Sequence, residues 1–307
     1  MADSRLLENT FAAANPGSLF HSAAFFKMHA QDRGAYFEWE QDGRVVATIH
    51  FTPAGDGLWR SPGRGTYAGF TASTDLHSEH LYTFHDAVLA RLAALGARRV
   101  EILPAPMAHD PVAFSNQTHL LHARGYAITQ CDVNHSLVVD GRGMAERMSY
   151  GNQKRLRKCA KEGLHGRLLP PSALPQVYDT LAANRQSKGH AMSMSLAQLQ
   201  AMQQTFPDAM LLFGCQHGDV QAATALCLRL SADVLYVFYW GDRPGHANLS
   251  PVVSVAEAVY AHCQTEGIRL LDVGTSSVDR EPNFGLIQFK RGLGFAESLK
   301  LRMARDI

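Results

Sequence analysis

The sequence predicts an α/β protein built from two copies of one unit, each a mixed sheet flanked by helices. Its length of 307 residues corresponds to about two domains of ~150 residues. The 46% of hydrophobic and 19% of charged residues are ordinary for a globular chain with a core. Turn and helix-end signals also occur twice in the same order. We therefore expect one domain over residues 1–138 and another over 139–307.

The first repeated signal is a β-hairpin. Strand-like apolar runs flank Asp42-Gly43 in the first half and Gly218-Asp219 in the second half. Both dipeptides favour tight turns between antiparallel strands. Each half is therefore predicted to begin its sheet with a hairpin.

The second repeated signal is a helix that ends in glycine and leads into a strand. In the first half, apolar residues of 81–95 recur at helical spacing, Gly96 supplies the left-handed end, and a strand follows at 100–102. The second half repeats this with a helix over 251–267 that begins with proline and ends in glycine, and a strand at 270–272.

The third repeated signal is a short helix that enters a closing strand through a glycine-aromatic pair. Equivalent glycines of the two halves are separated by 175, 171 and 169 residues: Gly43 to Gly218, Gly96 to Gly267 and Gly125 to Gly294. This period is far longer than the ~20 to 50 residues of a solenoid repeat, so it indicates tandem domains. The alternative is that unrelated α/β segments coincide.

Net charge, cysteine spacing and the lack of a recognisable targeting segment argue against several classes of function. The net charge of +1 supplies no overall field for nucleic acid or an acidic membrane, so we expect no DNA partner. The five cysteines are widely spaced without a C-x-x-C motif, which argues against disulfides and structural zinc and for a reducing compartment. No signal peptide or transmembrane segment is recognisable, so we expect a cytoplasmic protein; export without a visible signal is the alternative.

Three segments carry a resemblance to a known family. GLIQFKRGLGF at 285–295 has a lysine after an aromatic residue and a closing glycine-aromatic pair, NQKRLRKCAKEG at 152–163 is a basic helix, and SPGRGTYAGF at 61–70 is a glycine-rich segment before the first long helix. With the order of elements, they resemble the GNAT acyltransferase fold in its duplicated form, that of the Fem-type aminoacyltransferases and their acetyltransferase-like relatives.

The resemblance implies transfer of an acyl or aminoacyl group to an amine, often on a phosphate-bearing precursor of the envelope or a polysaccharide. It implies acyl-CoA or aminoacyl-tRNA as the donor, and tRNA as a possible partner. It also implies that two strands part near the centre of the sheet, where exposed backbone groups bind the donor's carbonyl. A catalytically inactive protein that binds a phosphorylated or nucleotide-linked ligand is the alternative, and a nucleic-acid-binding module is a weaker one.

Lys290 and Asp272 are the candidate catalytic residues. The resemblance places Lys290 over a cleft between domains, where its ammonium would hold a phosphate or stabilise the developing oxyanion. The alternative is a solvated helix lysine beside Arg291. Asp272 ends an apolar strand and would bind or polarise the acceptor amine, or else serve as a cap or turn residue.

A basic helix supplies candidate binding residues. Like charges at i and i+4 destabilise an isolated helix by a few tenths of a kcal/mol, and a polyanionic partner such as nucleotide phosphates or tRNA would offset this. The alternative is a merely solvated face. The candidate residues are Lys154, Arg155, Arg157 and Lys158.

The expected phosphate loop before the second long helix is degenerate. At residues 242–247 an acid replaces the basic or amide residue of the GNAT pattern, and a proline removes one backbone donor. Asn248, which follows, is a candidate substrate-binding residue. The first half has the pattern at residues 60–65 but about ten residues too early for its helix, so Arg64 is an anion contact or an ordinary loop residue, with Tyr67 as a second candidate.

Tyr239 is a candidate substrate-binding residue or proton donor, and a core tyrosine is the alternative. His77, His80 and His85 lie close in sequence, but the spacing is not H-E-x-x-H and no third ligand is evident, so no metal site is predicted.

Overall fold

The computed structural model describes residues 4–13, 17–30, 33–278 and 280–307. They form two compact units: the first lies within residues 1–133 and includes 298–307, and the second consists of residues 134–297. This division differs from the predicted 1–138 and 139–307. The C-terminal strand is grouped with the first unit and residues 134–138 with the second, because backbone pairing decides where a strand belongs.

The elements follow the order that the sequence predicts. Up to residue 138 they are β1 (Ser4–Glu8), α1 (Ala23–Ala30), β2 (Ala35–Gln41), β3 (Arg44–Pro53), β4 (Leu58–Ser61), β5 (Thr71–Ala72), α2 (Ser78–Ala94), β6 (Arg99–Ile102), α3 (Pro111–Ala123) and β7 (Ala127–Val138). From residue 139 they are α4 (Met144–Arg147), α5 (Tyr150–Lys161), β8 (Gly166–Leu169), α6 (Leu174–Ser187), α7 (Leu196–Thr205), β9 (Met210–His217), β10 (Val220–Arg229), β11 (Val234–Asp242), α8 (Pro251–Thr265), β12 (Leu270–Thr275), β13 (Ser277–Val278), β14 (Glu281–Pro282), α9 (Phe284–Gly292) and β15 (Ala296–Asp306).

The two predicted hairpins are confirmed. Strands β2 and β3 are joined by Asp42 and Gly43, whose φ angles of 50° and 77° lie in the left-handed region that such a tight turn needs. Strands β9 and β10 are joined by Gly218 and Asp219. Each unit therefore contains an antiparallel pair that starts the same succession of a third strand, a long helix and a parallel strand.

The sheet of the first unit has the order β1-β2-β3-β4-β6-β15, with β5 beside β3. Only β4 and β6 are parallel among these neighbours, as expected for two strands joined by the helix α2. At its far edge, residues 303–306 of β15 pair with β6. The last strand of the chain thus completes the first unit.

The sheet of the second unit has the order β7-β12-β11-β10-β9-β8, in which β11 and β12 are parallel. Residues 134–138 of β7 pair with β12. In both units the strand beside the parallel pair is therefore supplied by the other half of the sequence.

Each unit has its own apolar core. In the first, rings of β2 and β3 pack on the buried face of α2, where Phe84 and Leu92 are fully buried. In the second, Val255 and Val259 of α8 pack on the strands β9 to β12. Within the described ranges, no helix has the length and apolar character needed to cross a membrane.

Two histidines of the first unit are buried as neutral rings. Burial, followed by the nearby His50, lowers the pKa of His21 to about 3, and burial also lowers the pKa of His50 to about 4. The Nε2 atom of His50 lies 2.8 Å from the carbonyl oxygen of Phe20, and its ring stacks on Tyr36. Protonation of either ring in the folded state would place a charge in the core.

We expect the first unit to lose stability as the pH falls below about 6.5. The unfolded chain takes up a proton on each histidine near its ordinary pKa of 6.5, whereas the folded chain does so only near 3 to 4, so the stability is complete above 6.5 and declines below it. Urea unfolding followed by fluorescence of Trp39 and Trp59 would measure the decline. His21→Gln should reduce the slope of the unfolding free energy against pH by up to about 1.4 kcal/mol per pH unit. The exposed His122→Gln is the control, and an equal slope in both variants would contradict the assignment.

Candidate active site

The site lies where the two parallel strands of the second unit part. Strands β11 and β12 pair from Val234 opposite Leu270 to Tyr236 opposite Asp272, and no further. Beyond these residues both strands continue without pairing with each other. The prediction that two strands separate near the centre of the sheet is confirmed in this unit.

The equivalent strands of the first unit stay together. Strands β4 and β6 pair up to Ser61 opposite Ile102, and the amide of Leu103 then donates to the carbonyl of Ser61 at 2.8 Å. A further bridge joins Ala68 and Pro104. The first unit therefore lacks, in its described residues, the open strand ends of the second.

A pocket of about 990 Å³ occupies the opening between β11 and β12. Its walls come from β11, the start of α8, the end of β12 and helix α9, together with residues of α5 and α6 and the segment after α6. Half-buried aromatic rings of Tyr236, Phe238 and Trp240 line it beside several cationic side chains. The lining thus combines apolar surface with positive charge, as small-molecule sites commonly do.

Lys290 lies at the buried end of this pocket. Its side chain belongs to α9 and the residue is only 1% exposed, which excludes the solvated-lysine alternative. Its Nζ donates to the carbonyl oxygens of Gly274 at 2.9 Å and Thr275 at 2.8 Å. Burial lowers the pKa of Lys290 to about 7, opposed by the nearby Asp272 carboxylate. An ammonium there has a third N–H without a partner among the described residues.

Asp272 holds the turn that Lys290 contacts. Its Oδ1 accepts from the amide of Gly274 at 2.6 Å and from Nδ2 of Asn134 at 3.1 Å. The peptide of Gly274 is therefore bound on both sides, by Asp272 through its N–H and by Lys290 through its carbonyl. Gly274 has a φ of 73°, and a Cβ there would lie 3.4 Å from the Tyr236 hydroxyl oxygen, so this turn favours glycine.

A buried histidine adjoins this pair. Burial, and after it the positive charge of Lys290, lower the pKa of His135 to about 4. Its Nδ1 lies 3.1 Å from the hydroxyl oxygen of Ser276, and its Nε2 lies 3.7 Å from a carboxylate oxygen of Glu297. The ring is therefore neutral at physiological pH, which leaves Lys290 as the cation of this buried cluster.

Only one residue of the predicted basic helix lines the pocket. Arg155 does so, and its Nη1 donates to Oδ1 of Asn152 at 2.7 Å. Lys154 lies over the ring of Tyr150, and Lys158 donates to the carbonyl of Asn248 at 3.0 Å. Arg157 is exposed and lies outside the pocket lining.

The loop before α8 contains Asn248, the remaining predicted binding residue of this region. Asn248 is exposed and contributes its carbonyl to Lys158, so its side chain is not engaged in that contact. Helix α8 starts at Pro251, as predicted. Ser250 precedes it with a left-handed backbone, and its hydroxyl makes no cap bond to the helix.

Tyr239 lies in the wall of the pocket and is 8% exposed. Its hydroxyl pairs with that of Ser193, and the guanidinium of Arg185 lies 5.8 Å from its ring centre. Tyr239 is thus a packed residue in the pocket wall, and its role in binding or proton donation stays a prediction.

Arg64 and Tyr67 belong to the first unit, so the structure does not bring them into the pocket of the second. Arg64 is exposed in the loop after β4. Tyr67 is 3% exposed and packs edge-on against Phe20 at 5.2 Å and His109 at 5.1 Å. In its own unit Tyr67 is a core side chain.

Sequence reasoning missed three polar residues at and just after the end of α6. Arg185, Lys188 and His190 all line the pocket. The only sequence signal is that they flank Gly189 at a helix end, which is common to many solvated helix ends. Among His, Cys, Asp and Glu side chains of the described ranges, no group of three or more is placed to hold a metal ion.

Replacing Asp272 should change the titration of Lys290. Asp272→Asn keeps an oxygen acceptor for the Gly274 amide but removes the charge that raises the pKa of Lys290, so that pKa should fall below about 7. NMR of ¹³C-labelled lysine side chains would measure it, with Lys290→Met identifying the resonance. Asp233→Asn, on the turn after β10, is the control. An unchanged Lys290 titration in Asp272→Asn would contradict the coupling.

Neither a family model nor a curated protein matches this sequence. Solved structures match it in fold. FemX superposes with a TM-score of 0.74 at 12% identity over 97% of this chain and 94% of that chain. A tandem GNAT protein from the clavulanic acid biosynthesis pathway gives 0.56 at 11% identity over 99% and 98%. L-PGS from Bacillus licheniformis gives 0.58 at 10% identity over 85% and 81%. The chain therefore has a GNAT-type fold in tandem form, which it shares with FemX.

Proposed function

We propose that this protein is an acyltransferase that moves an acyl or aminoacyl group to an amine acceptor, an envelope or polysaccharide precursor that carries phosphate. The observation that carries the proposal is the parting of β11 and β12 above the buried Lys290. The opening offers unpaired backbone groups for a carbonyl, and the pocket of about 990 Å³ has room for two reactants. The fold shared with FemX and a tandem GNAT protein supports this class of chemistry.

In the proposed reaction the acceptor's neutral amine nitrogen attacks the donor's carbonyl carbon. A C–N bond forms and the C–S bond of a thioester or the C–O bond of an aminoacyl ester breaks. The nitrogen loses one proton, and the departing sulfur or oxygen takes one up, so the products are an amide and a free thiol or hydroxyl. Lys290 offers its third N–H to the oxyanion that develops between these events. Asp272 keeps the Gly274 turn in place and favours the ammonium form of Lys290. The transfer is direct, without a covalent enzyme intermediate.

The donor is proposed as acyl-CoA or aminoacyl-tRNA. The exposed cations of α5, Lys154 and Arg157 among them, supply a surface for a polyanion such as tRNA. The degenerate loop before α8 supports acyl-CoA less well, because the GNAT pattern relies on backbone amides there. We place the reaction in the cytoplasm, where both donors are made.

The alternative function is binding of a phosphorylated or nucleotide-linked ligand without chemistry. One observation favours it: Lys290 already makes two hydrogen bonds to the Gly274 and Thr275 carbonyls, so its role can be structural. Turnover separates the two functions. A binding protein has none, and its Lys290 variants lose at most affinity or stability.

Lys290 variants test the transferase. Purified protein is assayed with a panel of acyl-CoAs and aminoacyl-tRNAs against amine acceptors. Lys290→Met should lower kcat by about 10² to 10³, the usual effect of removing an oxyanion donor. In the wild type, kcat should decline as the pH rises through about 7, because the ammonium form is needed and is lost above that pKa. Lys290→Arg stays protonated, so its decline should move to higher pH.

Lys27→Met, which removes an exposed lysine of α1 outside the pocket lining, is the matched control and should retain full activity. Activity that survives Lys290→Met intact would end the catalytic assignment. Absence of turnover with every donor and acceptor would leave the binding function as the better description.

A further inference from the structure

A group of cations that the proposed chemistry does not use lines the same pocket. Arg185 lies in the last turn of α6, and Lys188 follows directly after this helix. Arg155 and Lys290 line the pocket as well. Among the described residues that line it, Asp242 is the sole carboxylate. The pocket therefore has an excess of positive charge that its own residues do not balance.

Arg185 and Lys188 are held in place by neighbouring groups. Nε of Arg185 donates to the carbonyl of Ala191 at 2.7 Å, which fixes the guanidinium while its two terminal nitrogens have no partner in the described part of the chain. Nζ of Lys188 donates to Oδ1 of Asn184 at 3.1 Å, and Asn184 is anchored on Asp242. Both side chains thus keep N–H groups for a ligand in a preformed arrangement.

The loop that precedes α8 offers a phosphate fewer backbone donors than a regular phosphate loop. Such loops bind phosphate through successive backbone amides at a helix start. Here Pro244 and Pro251 have no N–H, and other amides are used inside the protein. The internally bonded amides are those of Arg243 to Ala222, His246 to Arg243, Leu249 to His246 and Ser250 to Ala247. These amides are unavailable to an anion, and the cationic side chains are the charged donors that the pocket offers.

The number of charges indicates which anion. A single arginine satisfies a carboxylate, whereas a phosphate ester carries up to two negative charges and three acceptor oxygens. Arg185 and Lys188 together match the second case. The rings of Trp240 and Phe289, whose centres lie 5.7 Å apart, line the same pocket and suit an apolar or planar part of the same molecule.

We propose that Arg185 and Lys188 form a phosphate subsite, which binds a phosphate ester of the acceptor through side chains instead of the backbone loop before α8. The proposal rests on the proposed function for the assignment of that phosphate to the acceptor. The acceptor is then an organic phosphate whose phosphate lies at the α6 end of the pocket and whose amine reaches Lys290.

Calorimetric titration of the full chain with sodium pyrophosphate tests the subsite, with malonate at matched ionic strength as a carboxylate probe. We expect pyrophosphate to bind and malonate to bind more weakly. Lys188→Gln and Arg185→Gln should each raise the Kd for pyrophosphate about tenfold, since each removes a charge-assisted hydrogen bond. Lys27→Gln, at an exposed lysine outside the pocket lining, should leave it unchanged. Lys188 is exposed, so its variant keeps the fold, which thermal unfolding verifies.

Three results would overturn the subsite: no binding of pyrophosphate to the wild type, equal Kd values in the wild type and both variants, or malonate binding as tightly as pyrophosphate. The proposed function fails separately. If pyrophosphate binding follows the expected pattern while no donor supports turnover, the phosphate subsite holds and the transferase assignment falls.

Discussion

The second unit depends on how the backbone groups of the Gly274 turn are satisfied. A strand that leaves its partner inside a protein exposes N–H and C=O groups that must find other partners or water. Asp272 binds the amide of Gly274, and the ammonium of Lys290 binds the carbonyls of Gly274 and Thr275. These contacts satisfy the backbone groups of β12 beyond the point where its pairing with β11 ends. The same lysine is thereby buried, which brings its pKa close to neutrality.

The first unit shows what happens without that arrangement. Glu101 stands 171 residues before Asp272, the same separation as between Gly96 and Gly267, so the two carboxylates occupy equivalent positions. In the first unit this carboxylate pairs with the guanidinium groups of Arg60 and Arg302, and the strands around it stay paired. The same fold thus occurs in two forms. In the first unit the parallel strands stay paired around their own side chains, and in the second unit they part at a cationic pocket.

Local signals made much of this predictable, because they act over a few residues. Asp42-Gly43 and Gly218-Asp219 specify hairpins by backbone conformation alone, and the glycines after α2 and α8 mark where those helices end. The environment of Lys290 could not be read in this way, since its acceptors lie 15 and 16 residues earlier in the chain. The family resemblance, not the residue pattern, singled it out.

Long-range packing explains the other differences. A run of cations on a helix does not reveal which of them faces a ligand, and only Arg155 of the basic helix lines the pocket. Arg185 looks like an ordinary residue of a helix end. Only the fold places its guanidinium beside the ring of Tyr239. Nothing local in β15 specifies β6 as its partner.

The placement of β15 in the first unit bears on how the chain acquires its structure during synthesis. The strand that completes the first sheet is made only after the whole of the second unit. While the ribosome is still extending the chain, β6 has an unsatisfied edge of the kind that invites aggregation. The sheet of the first unit therefore stays incomplete until β15 has been made. The two units thus complete their folding together, although most of the first precedes the second in sequence.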